Sequence, residues 1–205
     1  MESRTRLPGK LTFRPLTPRY MNDLSEVLRG SWGSGCWCMY PRLTEKQTRE
    51  LPGEGTLSAR KCDAMTKLAR RRRAPGLLAF LGDDPAGWVA VAPREEFARV
   101  DASRATPRVD DVNVWIIPCV TVRKTERGNG IAVELIRAAV DYAAQNGAPA
   151  VEAYPRAGDK RTEADNLFFG TETMFRRAGF RVVRKPPKNL PRNWVPRVTM
   201  RTTLG

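Results

Sequence analysis

An α/β domain with helices packed on a sheet is the fold predicted for this chain, as a single unit spanning residues 1–205. Three observations predict it. The stretch Val112 to Gly147 reads as strand, turn and helix: β-formers Val112, Val114, Trp115, Ile116, Ile117, Val120 and Val122 give way to a charged, glycine-bearing turn, Arg123 to Gly130. A long helical pattern then runs from Ile131 to the stop signal Asn146-Gly147. Elsewhere, apolar runs of strand length alternate with stretches of helical period. Finally, 205 residues with 41% hydrophobic content suffice for one sizeable core.

The elements follow in order. Leu11 to Leu16 is a short strand limited by Pro15. Tyr20 to Arg29 is a helix carrying Met21, Leu24, Val27 and Leu28 on one side, broken by Gly30, Gly33 and Gly35. Thr56 to Arg73 is a second helix with Thr56 or Ser58 as its cap and a Cys62, Met65, Ala69 stripe; Pro75-Gly76 stops it. Gly76 to Leu81 and Gly87 to Ala92 form a hairpin across Gly82-Asp83-Asp84-Pro85. Arg94 to Pro107 is a polar connection with a helical turn around Glu95 to Val100. After the central strand and helix come a strand at Pro149 to Tyr154, a polar loop at Pro155 to Asn166 and a helix at Leu167 to Ala178. Closing strands at Phe180 to Lys185 and Val198 to Leu204 flank a proline-rich extended piece. The chain divides functionally into an N-terminal half, 11–93, and a C-terminal half, 112–204.

Bulk properties exclude several chemistries. The chain has no histidine, which removes Ser-His-Asp and Cys-His catalysis and histidine metal sites. Four unevenly spaced cysteines do not make a disulfide framework. Cys36 and Cys38 have no second paired motif, and a four-thiolate zinc site would need Cys62 and Cys119 from distant elements, so no metal is expected. No apolar run approaches a membrane span, and MESRTRLPGK lacks the apolar core of a secretory signal; a cytoplasmic protein is the default expectation. The net charge of +14 favours an acidic partner, a phosphate-bearing cofactor or else RNA or DNA, and charge alone does not choose between them. The Arg70–Arg73 run reads equally as a solvated helix end, and no RNA-binding signature accompanies it.

The turn before the Ile131 helix is the strongest functional signal. Amides at a helix start lack intrahelical partners and favour an anion, and Gly128 and Gly130 remove side chains that would hold a phosphate away. The sequence is neither GxxxxGK[ST] nor GxGxxG. Arg127-Gly128-Asn129-Gly130-Ile131-Ala132 instead resembles the acyl-CoA signature [QR]xxGx[GA] of the GCN5-related N-acetyltransferases (GNAT). Met174 to Val183, MFRRAGFRVV, resembles the family's helix-then-GF-strand ending, and Gly35-Cys36-Trp37-Cys38-Met39 resembles an actinobacterial-type subgroup.

The resemblance implies a mixed, splayed central sheet and acetyl-CoA as acyl donor. It implies that Val120 and Val122 offer backbone groups to the pantetheine arm and that Arg127 to Ala132 wrap the diphosphate. Arg123 and Lys124 are either further phosphate contacts or solvated loop charge. Glu152 and Tyr154 share one face of their strand by period-two geometry. They are expected as catalytic base and acid, or else as sheet-face residues hydrogen-bonded to neighbours. Where many members carry a Tyr acid this chain has Phe175, and Phe168 stands where an Asn is often found. Trp32, Cys36, Trp37, Cys38 and Tyr40 are expected to line an acceptor pocket, the other reading being a small satellite core. Cys119 is expected in packing. The implied activity is acetyl transfer to a primary amine, expected on a small molecule. A protein amine, a non-turnover acyl-CoA sensor and a basic RNA-associated protein are the alternatives, and a homodimer is left open.

Overall fold

The computed structural model describes residues 9–29, 35–158, 168–192 and 194–204. A seven-stranded mixed sheet runs in the order β1-β2-β3-β4-β5-β7-β6. Its strands are β1 (Leu11–Pro15), β2 (Gly76–Leu81), β3 (Asp84–Pro93), β4 (Trp115–Val122), β5 (Ala150–Ala153), β6 (Arg181–Arg184) and β7 (Thr199–Thr203). All neighbours are antiparallel except β4 and β5, which are joined through a crossover helix. The helices are α1 (Met21–Leu28), α2 (Glu45–Arg49), α3 (Leu57–Ala69), α4 (Ala98–Asp101), α5 (Ile131–Gln145) and α6 (Glu172–Arg177). Among the described residues no helix is long and apolar enough to cross a membrane.

Two faces make the core. On one, α5 buries Ile131, Leu135, Ile136, Ala139 and Ala143 against Val89, Val91, Ile117 and Val151. Those positions recur at helical spacing, and each large aliphatic side chain so buried stabilises the fold by about 1.5–3 kcal/mol. On the other face, Leu24, Val27 and Leu28 of α1 and Met65 and Ala69 of α3 pack with Phe80, Trp88 and Cys119. Strand β3 is covered on both sides, which explains its unbroken apolar run GWVAVA.

Several boundaries differ from expectation, each for a local reason. The Thr56 hydroxyl accepts from Ala59 N–H and caps α3, but the helix ends at Ala69, before the arginine run. Helix α2 is an addition to the expected elements, held at its start by a capping box of Thr44 and Gln47. The hairpin turn is only Gly82-Asp83, because Asp84 and Pro85 already pair with Leu81 and Phe80. The helix expected from Leu167 begins at Glu172, where the Thr171 hydroxyl caps it. Gly170, at φ +74, lies over the Phe175 ring, and a Cβ there would sit 2.8 Å from it.

Candidate active site

Strands β4 and β5 part company, and proline explains where. They pair only through Trp115–Val151, Ile116–Glu152 and Ile117–Ala153. The next residue of β4 is Pro118, which has no N–H to continue the ladder, and β5 runs into Pro155. The β3–β4 register also shifts, from Ala90↔Cys119 to Ala92↔Ile116, so β4 carries one extra residue. That bulge puts Ile117 and Val120 on the same core face although they are three apart. Beyond it, the Val120 N–H points away from β3, into the opening.

The structure fills the expected Val120 contact with the chain itself. Val120 N–H donates to the Phe168 carbonyl at 2.7 Å. A pantetheine arm using this donor displaces that carbonyl. The Val122 carbonyl accepts from Arg127 Nε at 3.1 Å, so Arg127 ties the end of β4 to the turn. Arg123 is also committed: it donates to the Pro85 carbonyl and pairs with Glu26 of α1 at 3.1 Å. Arg123 nonetheless lines, with Arg29, Lys124 and Arg127, a pocket of about 220 Å³ between α1 and the end of β4.

The turn itself is open. Gly130 is the N-cap of α5 in the left-handed region, at φ +78, with no side-chain cap, and Gly128 lies at φ +88. A Cβ at either position would meet nothing within 4 Å. Among the described residues the amides of Gly128, Asn129 and Gly130 find no backbone acceptor. Those of Ile131 and Ala132 are first-turn amides without intrahelical partners. Five consecutive donors on a helix start, with free space before them, fit a diphosphate.

Glu152 and Tyr154 do share a face, and the structure brings them into contact. The Tyr154 hydroxyl donates to Glu152 Oε2 at 2.7 Å. It accepts from Arg94 Nη1 at 2.5 Å. Glu152 Oε1 accepts from Arg201 Nε and Nη2 at 2.9 and 2.6 Å. Arg201 also forks onto Asp110, and Arg94 onto Asp101 and the Thr106 carbonyl. Both side chains are sealed, Glu152 at 1% exposure and Tyr154 at 0%. Burial, followed by the Glu152 charge, pushes the Tyr154 phenol well above its ordinary value. The single phenolic proton is thus committed to Glu152. These contacts fit the other reading of the pair, sheet-face residues hydrogen-bonded to their neighbours, better than the base-and-acid one. Sequence reasoning missed Arg94, which a polar connecting segment gave no reason to place in the core.

The Cys-Trp-Cys segment divides between the core and an aromatic cluster. Trp32 lies outside the described residues. Trp37 and Cys38 both adopt φ 50, a left-handed conformation unusual for side-chain-bearing residues. This turn drives Cys38 into the core, where its thiol lies 3.3 Å from that of Cys119 and accepts from Trp88 Nε1. Trp37 Nε1 bonds the Ser58 hydroxyl. Burial raises the Cys36 thiol to about 11, with Cys38 adding to it, so Cys36 stays protonated at neutral pH. Cys38 therefore belongs to the core packed by α1 and α3, and Cys36 is buried as well, which fits the packing reading better than the acceptor-pocket one. Among the described residues no three potential ligands gather around a metal position.

Tyr40 is the exception. Its exposed ring stands edge-on to Phe168 at 6.2 Å, and Phe168 packs on Phe169 at 4.6 Å. The Arg99 guanidinium covers Tyr40 at 4.4 Å, and that of Arg197 covers Phe169 at 3.8 Å. These groups form an aromatic, cationic cluster beside Val120. Phe175 is fully buried and packs against Phe180 at 5.1 Å, so no phenol occupies that position.

A bulged strand parted from its parallel neighbour, ending on a glycine turn of free amides, defines an acyl-CoA-dependent transferase. Residues 40–168 match the model of the acetyltransferase (GNAT) family, and the chain belongs to that family. It is an acetyltransferase with acetyl-CoA as its donor. Solved structures share the fold at low identity. Arylalkylamine N-acetyltransferase 2 from Aedes aegypti is 16% identical with TM-score 0.57, over 96% of this chain and 100% of that one. Ard1 from Thermoplasma volcanium is 13% identical with TM-score 0.52, over 95% and 97%. The PaiA N-acetyltransferase from Thermoplasma acidophilum, in complex with coenzyme A, is 12% identical with TM-score 0.53, over 95% and 99%. No curated protein matches.

Proposed function

We propose that the protein acetylates a primary amine of a small molecule. The observation that carries this reading is the cluster beside Val120: aromatic walls from Tyr40, Phe168 and Phe169, ringed by Arg99, Arg156 and Arg197. Aromatic walls suit a compact body with apolar surface. The cations repel the basic segments that carry most protein amines. The arylalkylamine enzyme among the structural neighbours supports the small-molecule reading, and Ard1 keeps the protein-amine alternative in view.

Acetyl-CoA supplies an activated thioester when bound. The chain's own part is to hold and orient. The amides of Gly128 to Ala132 grip the diphosphate and face its charge with preorganised dipoles. The Val120 N–H, once released by Phe168, holds the pantetheine arm along β4. The bound amine attacks the thioester carbonyl carbon; a C–N bond forms, the C–S bond breaks, and the departing thiolate takes the proton that the amine loses. With Glu152 and Tyr154 sealed in the β5 network, water at the opening beside Val120 carries that proton. The Arg94–Tyr154–Glu152–Arg201 network keeps β5 at its distance from β4.

Thiol release from acetyl-CoA across a panel of aromatic and aliphatic amines, lysine peptides and intact proteins tests this. Faster release with small aromatic amines is expected. Release only with peptides or proteins would assign the acceptor to that class, and none with any amine would leave a binding protein.

A further inference from the structure

Three arginines drawn into this fold are matched with carboxylates. Arg42 pairs with Glu96, Arg94 with Asp101 and Glu152, and Arg201 with Asp110 and Glu152. Arg197 is half-buried and has no such partner among the described residues. Its Nη1 donates to the Tyr154 carbonyl at 3.1 Å, and its plane lies on the Phe169 ring. Among the described residues the titratable groups acting on it are the Tyr40 phenol and a second cation, Arg156. Burial first, with Arg156 adding to it, lowers its pKa to about 10 against the pull of Tyr40. It remains charged at neutral pH. A guanidinium taken out of water beside another cation is costly unless an anion completes it.

Its position gives that missing anion a meaning. Arg197 bridges to Arg156 on the continuation of β5, where that strand leaves β4. One aromatic pair, Phe169 and Phe168, separates it from the Val120 N–H. Tyr40 closes the other side. A ligand lying against Tyr40 and Phe168 thus has the acyl-transfer strand at one end and, at the other, a guanidinium with no carboxylate partner among the described residues.

We propose that the acceptor is an aromatic amine that also carries a carboxylate, and that Arg197 recognises the carboxylate. The proposal rests on the amine-acetylation reading above and names its substrate class. The planar fork of Arg197 suits two-point contact with a carboxylate, and its stacking on Phe169 fixes the fork's plane. Arg197 is a specificity-determining residue and takes no part in bond-making.

The test uses two matched pairs of amines: 4-(2-aminoethyl)benzoate with phenethylamine, and 4-(aminomethyl)benzoate with benzylamine. Within each pair the carboxylate is the main difference. A hydrogen-bonded charge pair predicts that the wild-type protein favours the carboxylate member by about tenfold to a hundredfold in kcat/KM. In Arg197→Gln that ratio falls to about one, and in Arg197→Lys, which keeps the charge but loses the fork, it takes an intermediate value. CoA affinity measured on the same samples reports whether each variant is folded. Calorimetric titration of the same four compounds reads binding without turnover. Tight binding of the carboxylate members, lost in Arg197→Gln, upholds the anion site even where no thiol is released; that outcome would sink amine transfer alone. Equal use and equal binding within each pair by the wild-type protein, or a preference that survives Arg197→Gln, would overturn the proposal.

Discussion

Two polar regions flank the opening between β4 and β5, and they are built in opposite ways. Beneath β5, Arg94, Glu152, Tyr154, Arg201, Asp101 and Asp110 satisfy one another almost completely and exclude solvent from their centre. At the end of β4, the turn from Gly128 to Ala132 leaves a row of amides with open space in front. The contrast teaches which polar groups are spoken for. A buried group whose hydrogen bonds are complete is part of the scaffold; a set of donors left without acceptors is held ready for a ligand. Glu152 and Tyr154 have residue types suited to proton transfer, yet their partners mark them as scaffold.

The sharpest way to break the contrast is to remove the hub of the closed region. Glu152→Ala leaves Arg201 with Asp110 and Arg94 with Asp101 as their remaining carboxylate partners, and unfolding by urea is expected to show a loss of about 3 kcal/mol. A midpoint unchanged from the wild-type protein would show that the network does not hold β5. The matching change in the open region is Gly130→Asp. No atom lies near its Cβ, and Asp tolerates the left-handed conformation at a cost of about 1–2 kcal/mol, so the fold survives. The added carboxylate faces the diphosphate, and CoA affinity by calorimetry is expected to fall at least about tenfold. Unchanged affinity would remove the cradle.

Tyr154→Phe separates scaffold from catalyst. It deprives Arg94 and Glu152 of one partner each and is expected to cost about 1–3 kcal/mol of stability, with turnover per folded molecule retained. A collapse of kcat at full stability would return the tyrosine to the role of acid. The smallest effect concerns pH. Burial opposes ionisation of Asp101, but hydrogen bonds from Arg94 and Arg108 hold its pKa below the usual carboxylate range. Its contribution is therefore present above the ordinary value of about 4 and lost as pH falls through the depressed one. Thermal melts should decline modestly in that acid window, and Asp101→Asn should flatten part of the decline.

Much of the open region is legible in the sequence, and little of the closed one. Glycine at fixed spacing before a helical period is a local signal, so the turn and α5 can be read residue by residue. The strand alternation likewise places Glu152 and Tyr154 on one face. What sequence does not carry is who meets whom across the sheet. Arg94, Arg201 and Asp110 come from three separate segments, and nothing in the connection after β3 marks Arg94 for burial. The Leu167–Ala178 pattern looks helical throughout, but Gly170 and the Thr171 cap start the helix late and leave the Phe168 carbonyl free to bind β4. Cys38 follows the same logic: two left-handed residues in succession, which composition does not announce, turn its thiol inward.

A crystal structure with coenzyme A would test the central claim most directly. Diphosphate oxygens are expected within hydrogen-bond distance of the amides between Gly128 and Ala132, with the Val120 N–H transferred from Phe168 to the pantetheine arm. Coenzyme bound elsewhere, with those five amides still facing empty space, would contradict it.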